Sequence, residues 1–200
     1  MIELCNKGEF IKALPLAKEL VNQYPSNSEY YRILGQINSE LGNQDEAINF
    51  LIDALKWNPK NSWALVMMGN IFSRFKKDVE TAMIYYNEVI KNNPNDYLTL
   101  NNIGATLLQL GNTSEAKNYL IKASEQNDKY PNTYFGLAVV SFNENNYSDS
   151  FDYLLKALQL NPLKDELYNN SIGLLKQIVS NLAQSNQIID LVNTYIGYLE

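Results

Sequence analysis

The chain has 200 residues, enough for one or two ordinary domains or one repeat array with a sizeable buried core. Hydrophobic residues are 46% and charged residues 19%, with no histidine and one cysteine, Cys5; this excludes imidazole-based triads, zinc sites of His and Cys, haem on a proximal His and an internal disulfide. The net charge of −6 argues against nucleic acid or an anionic lipid surface as the main partner. No apolar run approaches the roughly 18–20 residues that cross a bilayer. The start, MIELCNKGEF, lacks the basic, apolar and small-residue regions of a secretory leader. The expectation is a cytoplasmic protein, with the bacterial cell envelope open should a leader have been removed.

In chain order, residues 1–27 carry Ala13, Ala17 and Pro25 in what reads as the second helix of a hairpin. Met1 to Leu4 read as the stub of a first helix, and Pro15, near the start of the second, is expected to bend it. Such a half unit suggests a protein that extends upstream. Residues 28–61 show a complete unit. SEYYRILGQINSELG sets Tyr30, Ile33, Leu34, Ile37 and Leu41 at helical spacing. After the turn LGNQDEA, Asp45 and Glu46 place negative charge in the first turn of a second helix, which buries Ala47, Phe50, Leu51, Ala54 and Leu55 and ends at Pro59. Residues 62–96, 97–130 and 131–164 follow the same grammar, seen in LTLNNIGATLLQLGNTSEAKNYLIKA. Residues 165–200 read as a divergent pair, DELYNNSIGLLKQIVSNLAQ and NQIIDLVNTYIGYLE, either a terminal cap or a further truncated domain.

Three residue types keep one period in step. Pro25, Pro59 and Pro94 are 34 and 35 apart, and Pro162 follows after twice 34. Ala13, Ala47, Ala82 and Ala116 are separated by 34, 35 and 34, with Ser150 a further 34 on. Gly35, Gly69 and Gly104 repeat the 34 and 35. The one extra residue therefore lies between Gly69 and Ala82. Small residues at fixed places let the two helices of a hairpin approach closely, so Gly35 is expected to face Ala47, Gly69 to face Ala82 and Gly104 to face Ala116.

These residues resemble the tetratricopeptide repeat, W-x2-L-G-x2-Y, then A-x3-F, then P, over about 34 residues. The pattern appears as Tyr31, Leu34, Gly35, Ala47, Leu51 and Pro59, and again as Leu65, Met68, Gly69, Phe72, Ala82, Tyr86 and Pro94. A third copy is Leu100, Ile103, Gly104, Leu107, Ala116 and Leu120, with Asp128 in place of the proline. A fourth is Tyr134, Leu137, Ala138, Leu154, Ala157 and Pro162, with Ala138 at the glycine position and Ser150 at the alanine position. The resemblance implies an all-α, right-handed superhelix (an α-solenoid) of antiparallel hairpins: about four full units, an N-terminal half unit and a divergent C-terminal helical pair. It also implies a non-enzymatic scaffold that binds a peptide or partner protein in a concave groove, with no cofactor and no catalytic or metal-binding residue.

Carrying the family's concave positions over gives Glu29, Arg32, Gln36 and Glu40, then Trp63, Val66, Asn70 and Arg74. Leu98, Asn101, Ala105 and Gln109 follow, then Asn132, Phe135, Val139 and Asn143. Arg32 and Arg74 are the chain's only arginines; they read either as anchors for an acidic or C-terminal group or as part of a solvated face. Trp63 and Phe135 read either as hot spots or as packing between repeats. Members that hold chaperone tails use a basic clamp, whose lysines are mostly missing here. The expected partners are proteins or peptides, with no nucleic acid, no membrane insertion and self-association open through the terminal helix at 186–200. The rival reading is a regulatory or targeting segment of a larger enzyme or cell-envelope assembly protein.

Overall fold

A computed structural model describes residues 1–161 and 166–184. Among them every regular element is helical. The chain divides into two compact units, Met1–Pro94 and Asn95–Glu200. The first holds α1 (Ile2–Asn6), α2 (Phe10–Gln23), α3 (Ser28–Glu40), α4 (Gln44–Trp57), α5 (Ser62–Ile71), a π-helical turn (Phe72–Lys76) that continues α5, and α6 (Val79–Asn92). The second holds α7 (Tyr97–Gln109), α8 (Thr113–Gln126), α9 (Pro131–Asn143), α10 (Tyr147–Leu160) and α11 (Glu166–Gln184). In each unit successive helices pack antiparallel as hairpins, and alternate helices also touch, α3 with α5 and α7 with α9.

The turns inside the hairpins share one device. A residue in the left-handed region closes the first helix, and these residues are Gly8, Gly42, Lys77, Gly111 and Asn145, spaced 34, 35, 34 and 34 apart. The next amide then donates to a carbonyl five residues back, the 6→1 bond of a Schellman ending. Glu9 reaches Leu4 at 2.9 Å, Asn43 reaches Asn38 at 2.8 Å, and Asn112 and Asn146 reach Leu107 and Ser141 at 2.9 Å. In the 35-residue unit the donor is Asp78 and the acceptor Phe72, six residues back at 2.9 Å. The extra residue located by spacing is therefore taken up inside the π-helical turn, whose closing bond runs from the Lys77 amide to the Phe72 carbonyl.

Helix starts are marked two residues after the periodic prolines. Asn27, Asn61 and Asp96 each accept a hydrogen bond from an amide of the first turn. Asn61 also bridges hairpins: its Nδ2 donates to Ser28 Oγ at 2.9 Å, and that hydroxyl donates to the Ala54 carbonyl at 2.8 Å. Pro15 lies six residues into α2, inside the continuous helix, with its ring on the exposed side.

The glycines are where helices approach, but the tight neighbour is not the alanine side chain. A Cβ on Gly35 would fall 2.7 Å from Leu51 Cγ and 3.3 Å from the Ala47 carbonyl oxygen. Gly104 repeats this with Leu120 Cγ at 2.6 Å and the Ala116 carbonyl at 3.3 Å, and at Gly69 the Tyr86 ring lies closer still. The large residue four positions after each alanine fills the space a side chain would need. In the hairpin α9–α10 the two departures from the motif meet each other: Ser150 Oγ donates to the Ala138 carbonyl at 2.7 Å, which satisfies a buried hydroxyl. In the second unit Ala138, Leu154, Leu174, Ile178 and Leu182 form one buried cluster, so α11 packs on the α9–α10 hairpin. The expected partner of α11, at 186–200, lies outside the described residues.

Candidate functional site

In the first unit, α3 and α5 with its π-helical extension wall a cleft of about 520 Å³. Glu29, Arg32, Gln36, Ser39 and Glu40 line one side; Trp63, Met67, Asn70, Ile71, Arg74 and Phe75 line the other. Five of the ten residues nominated from sequence meet here: Arg32, Gln36, Trp63, Asn70 and Arg74.

The two arginines differ in state. The Arg32 guanidinium is held along its own helix, with Nε and Nη2 each 2.7 Å from Glu29 Oε1 and Nη1 2.9 Å from Gln36 Oε1, and its side chain is only 13% exposed. This i−3, i+4 arrangement pairs the guanidinium with a carboxylate and fixes its orientation in the wall. Arg74 is exposed and has no ion-pair partner among the described residues. Asn70 is also fixed, because its Oδ1 accepts from the buried Tyr86 hydroxyl at 2.8 Å. Its amide nitrogen is therefore the group left to donate to an occupant.

The aromatic content is at the mouth. Trp63 is 57% exposed and Phe75 56% exposed. Phe75 reaches the cleft because of the π-helical turn, whose other side is pinned. There the Phe72 ring stacks on Tyr85, centroids 5.8 Å apart at 22°, and burial raises the Tyr85 hydroxyl above its usual pKa. Lys76 pairs with Asp45 at the start of α4. Asp78, which opens α6, is held below the usual carboxylate range by the Thr81 hydroxyl and amide.

Two nominations are corrected. Val66 is 6% exposed and packs with Leu65 and Val89, because three residues on from Trp63 the helix points into the hairpin; Met67, four residues on, takes the cleft position. Asn101 is 5% exposed, and its Oδ1 accepts from Thr133 Oγ1 at 3.2 Å, so it joins α7 to α9 inside the second unit. The other three also belong to the second unit. Gln109 is exposed at the end of α7, while Phe135 and Val139 are half-buried against the Ala138–Leu154–Ile178 cluster. Sequence reasoning missed Ser39, Met67, Ile71 and Phe75. The signal for Phe75 was the extra residue after Gly69, which turns the helix end and adds a position to the cleft.

Hairpins of this geometry, with an aromatic-edged cleft between first helices, define a repeat scaffold for protein–protein interaction. The chain belongs to the tetratricopeptide repeat family: the Tetratricopeptide repeat model matches residues 28–61, and the TT21 fifth ARM repeats domain model matches residues 62–172. Members of this family are generally non-enzymatic. The chain is 25% identical over 173 residues to TPR repeat-containing protein MJ1428 of Methanocaldococcus jannaschii, covering 77% of this chain and 30% of that one. It is 26% identical over 183 residues to BBSome complex member BBS4 of Bos taurus, covering 90% and 34%. The chain thus spans about a third of the length of these curated relatives. Among solved structures, PilW, a type IV pilus biogenesis factor, superposes with a TM-score of 0.81 at 16% identity over 94% of this chain and 86% of its own. YrrB, described as a TPR protein with an unusual peptide-binding site, gives 0.61 at 20% identity over 86% and 87%. Among the described residues, no helix is long and apolar enough to cross a membrane, and no group of three or more Cys, Asp or Glu could hold a metal ion.

Proposed function

We propose that the cleft between α3 and α5 binds a peptide segment of a partner protein, and that the chain acts by binding and performs no chemistry. The observation that carries this is the pair Trp63 and Phe75, both more than half exposed on one wall of a cleft of about 520 Å³. Exposed large aromatics beside a cleft are the side chains that dominate interface energetics. The likeness in fold to a peptide-binding TPR protein supports the same reading.

A photo-crosslinking residue at Gln36, inside the cleft, tests it against one at Lys60, outside. The Gln36 probe should capture a discrete polypeptide, and Trp63→Ala with Phe75→Ala should reduce that capture at least about 10-fold, as expected for two anchors of above ~1 kcal/mol each. Helical circular dichroism should not change. Identical adducts from both positions, or capture indifferent to the aromatic pair, would place the site elsewhere. A regulatory or targeting segment of a longer assembly protein remains a second reading, supported by the coverage of only 30% and 34% of the curated relatives. It leaves the role of the cleft unchanged.

A further inference from the structure

The two arginines of the cleft are not equivalent, and their difference specifies the occupant. Arg32 directs three of its five N–H donors at Glu29 and Gln36 and sits 13% exposed in its wall. Arg74 stands exposed on the π-helical turn beside Phe75, with no ion-pair partner among the described residues. A guanidinium next to an aromatic ring presents a carboxylate site and an apolar surface side by side. The opposite wall carries Glu40, also exposed, which disfavours a run of acidic residues, as does the chain's net charge of −6.

We infer that Arg74 is the specificity residue of the cleft, selecting a peptide with a single internal Asp or Glu within two positions of a large apolar side chain that packs on Phe75 or Trp63. The inference rests on the cleft being the peptide site. Arg74 and Phe75 both lie on the π-helical turn, which is held by the Phe72–Tyr85 stack and the Lys76–Asp45 pair, and both line the cleft.

The probe is a random twelve-residue peptide library displayed as an N-terminal fusion, so that no member has a free carboxyl end, selected on the whole chain. Wild type should enrich Asp or Glu beside Phe, Tyr, Trp, Leu or Ile by about 2- to 5-fold over the library, the range of an exposed charge pair. Arg74→Glu should remove that preference and raise Lys and Arg instead. Lys60→Glu, the same charge change outside the cleft, should keep the wild-type preference. If the acidic preference survives Arg74→Glu, or is absent from wild-type selections that enrich apolar motifs, the inference falls while the cleft stands as the peptide site. If Trp63→Ala with Phe75→Ala selects the same peptides as wild type, the cleft reading itself falls, and this inference with it.

Discussion

Lys77 holds the left-handed position, φ 56°, that Gly8, Gly42 and Gly111 hold in other hairpins. An L side chain there costs about 1 kcal/mol, a cost that asparagine, as at Asn145, bears more easily. Lys77→Gly should therefore raise stability by up to about 1 kcal/mol and the melting temperature by about 2–4 °C, read by calorimetry; an unchanged or lower melting temperature would show that Lys77 bears no such strain. Its neighbour Asp78 titrates below its ordinary value of 3.8 because the Thr81 hydroxyl and amide bond the ionised form. A depressed carboxyl contributes stability that is complete above the unfolded value and is lost as pH falls through the folded one. Asp78→Ala should accordingly be less stable than wild type at neutral pH, with the gap closing below about pH 4 in urea titrations.

At the scale of the helix, two glycines with opposite surroundings make a matched pair. Gly104 in α7 leaves no room for a side chain, with Leu120 and the Ala116 carbonyl across the hairpin. Gly104→Val should cost about 1–3 kcal/mol by overpacking. Gly173 in α11 has nothing within 4 Å of where a Cβ would stand, so Gly173→Ala should gain about 0.5–1 kcal/mol from propensity alone. Equal signs for the two variants in chemical denaturation would contradict the packing described. These elements were legible in sequence because their punctuation is periodic: prolines two residues ahead of capping residues, glycine and alanine at fixed phase. What crosses the hairpin was less so. The period places Gly35 opposite Ala47 in the chain's grammar, yet the contact is made by Leu51, since side chains lean along the helix toward its N-terminus. Val66 and Met67 show the same limit, as a shift of one residue turns a side chain by about 100° and decides between core and cleft.

For the molecule as a whole, the absence of histidine has a direct thermodynamic consequence. No imidazole changes charge on unfolding, so stability should stay flat between about pH 6 and 7.5, declining at low pH where carboxylates protonate and at high pH where groups such as Tyr85 ionise. A slope in denaturation free energy across that window would point to a shifted carboxyl or amine. The array was readable from the 34-residue period, which is a property of backbone packing repeated along the chain. The site was readable only in part, because a groove follows from where helix ends turn. Arg32 and Arg74 look alike in sequence, and only geometry shows one locked to Glu29 and Gln36 and the other exposed.

The six-residue return from Asp78 to Phe72 confines the surplus residue before α6 begins, and Tyr86 still meets Gly69 as Leu120 meets Gly104. That junction behaves as an expansion joint: the one surplus residue is absorbed within the turn, and α5 and α6 keep their contact. The exposed side chains at the joint, Arg74 and Phe75, can thus change while the Gly69–Tyr86 contact of the same hairpin is left as it was.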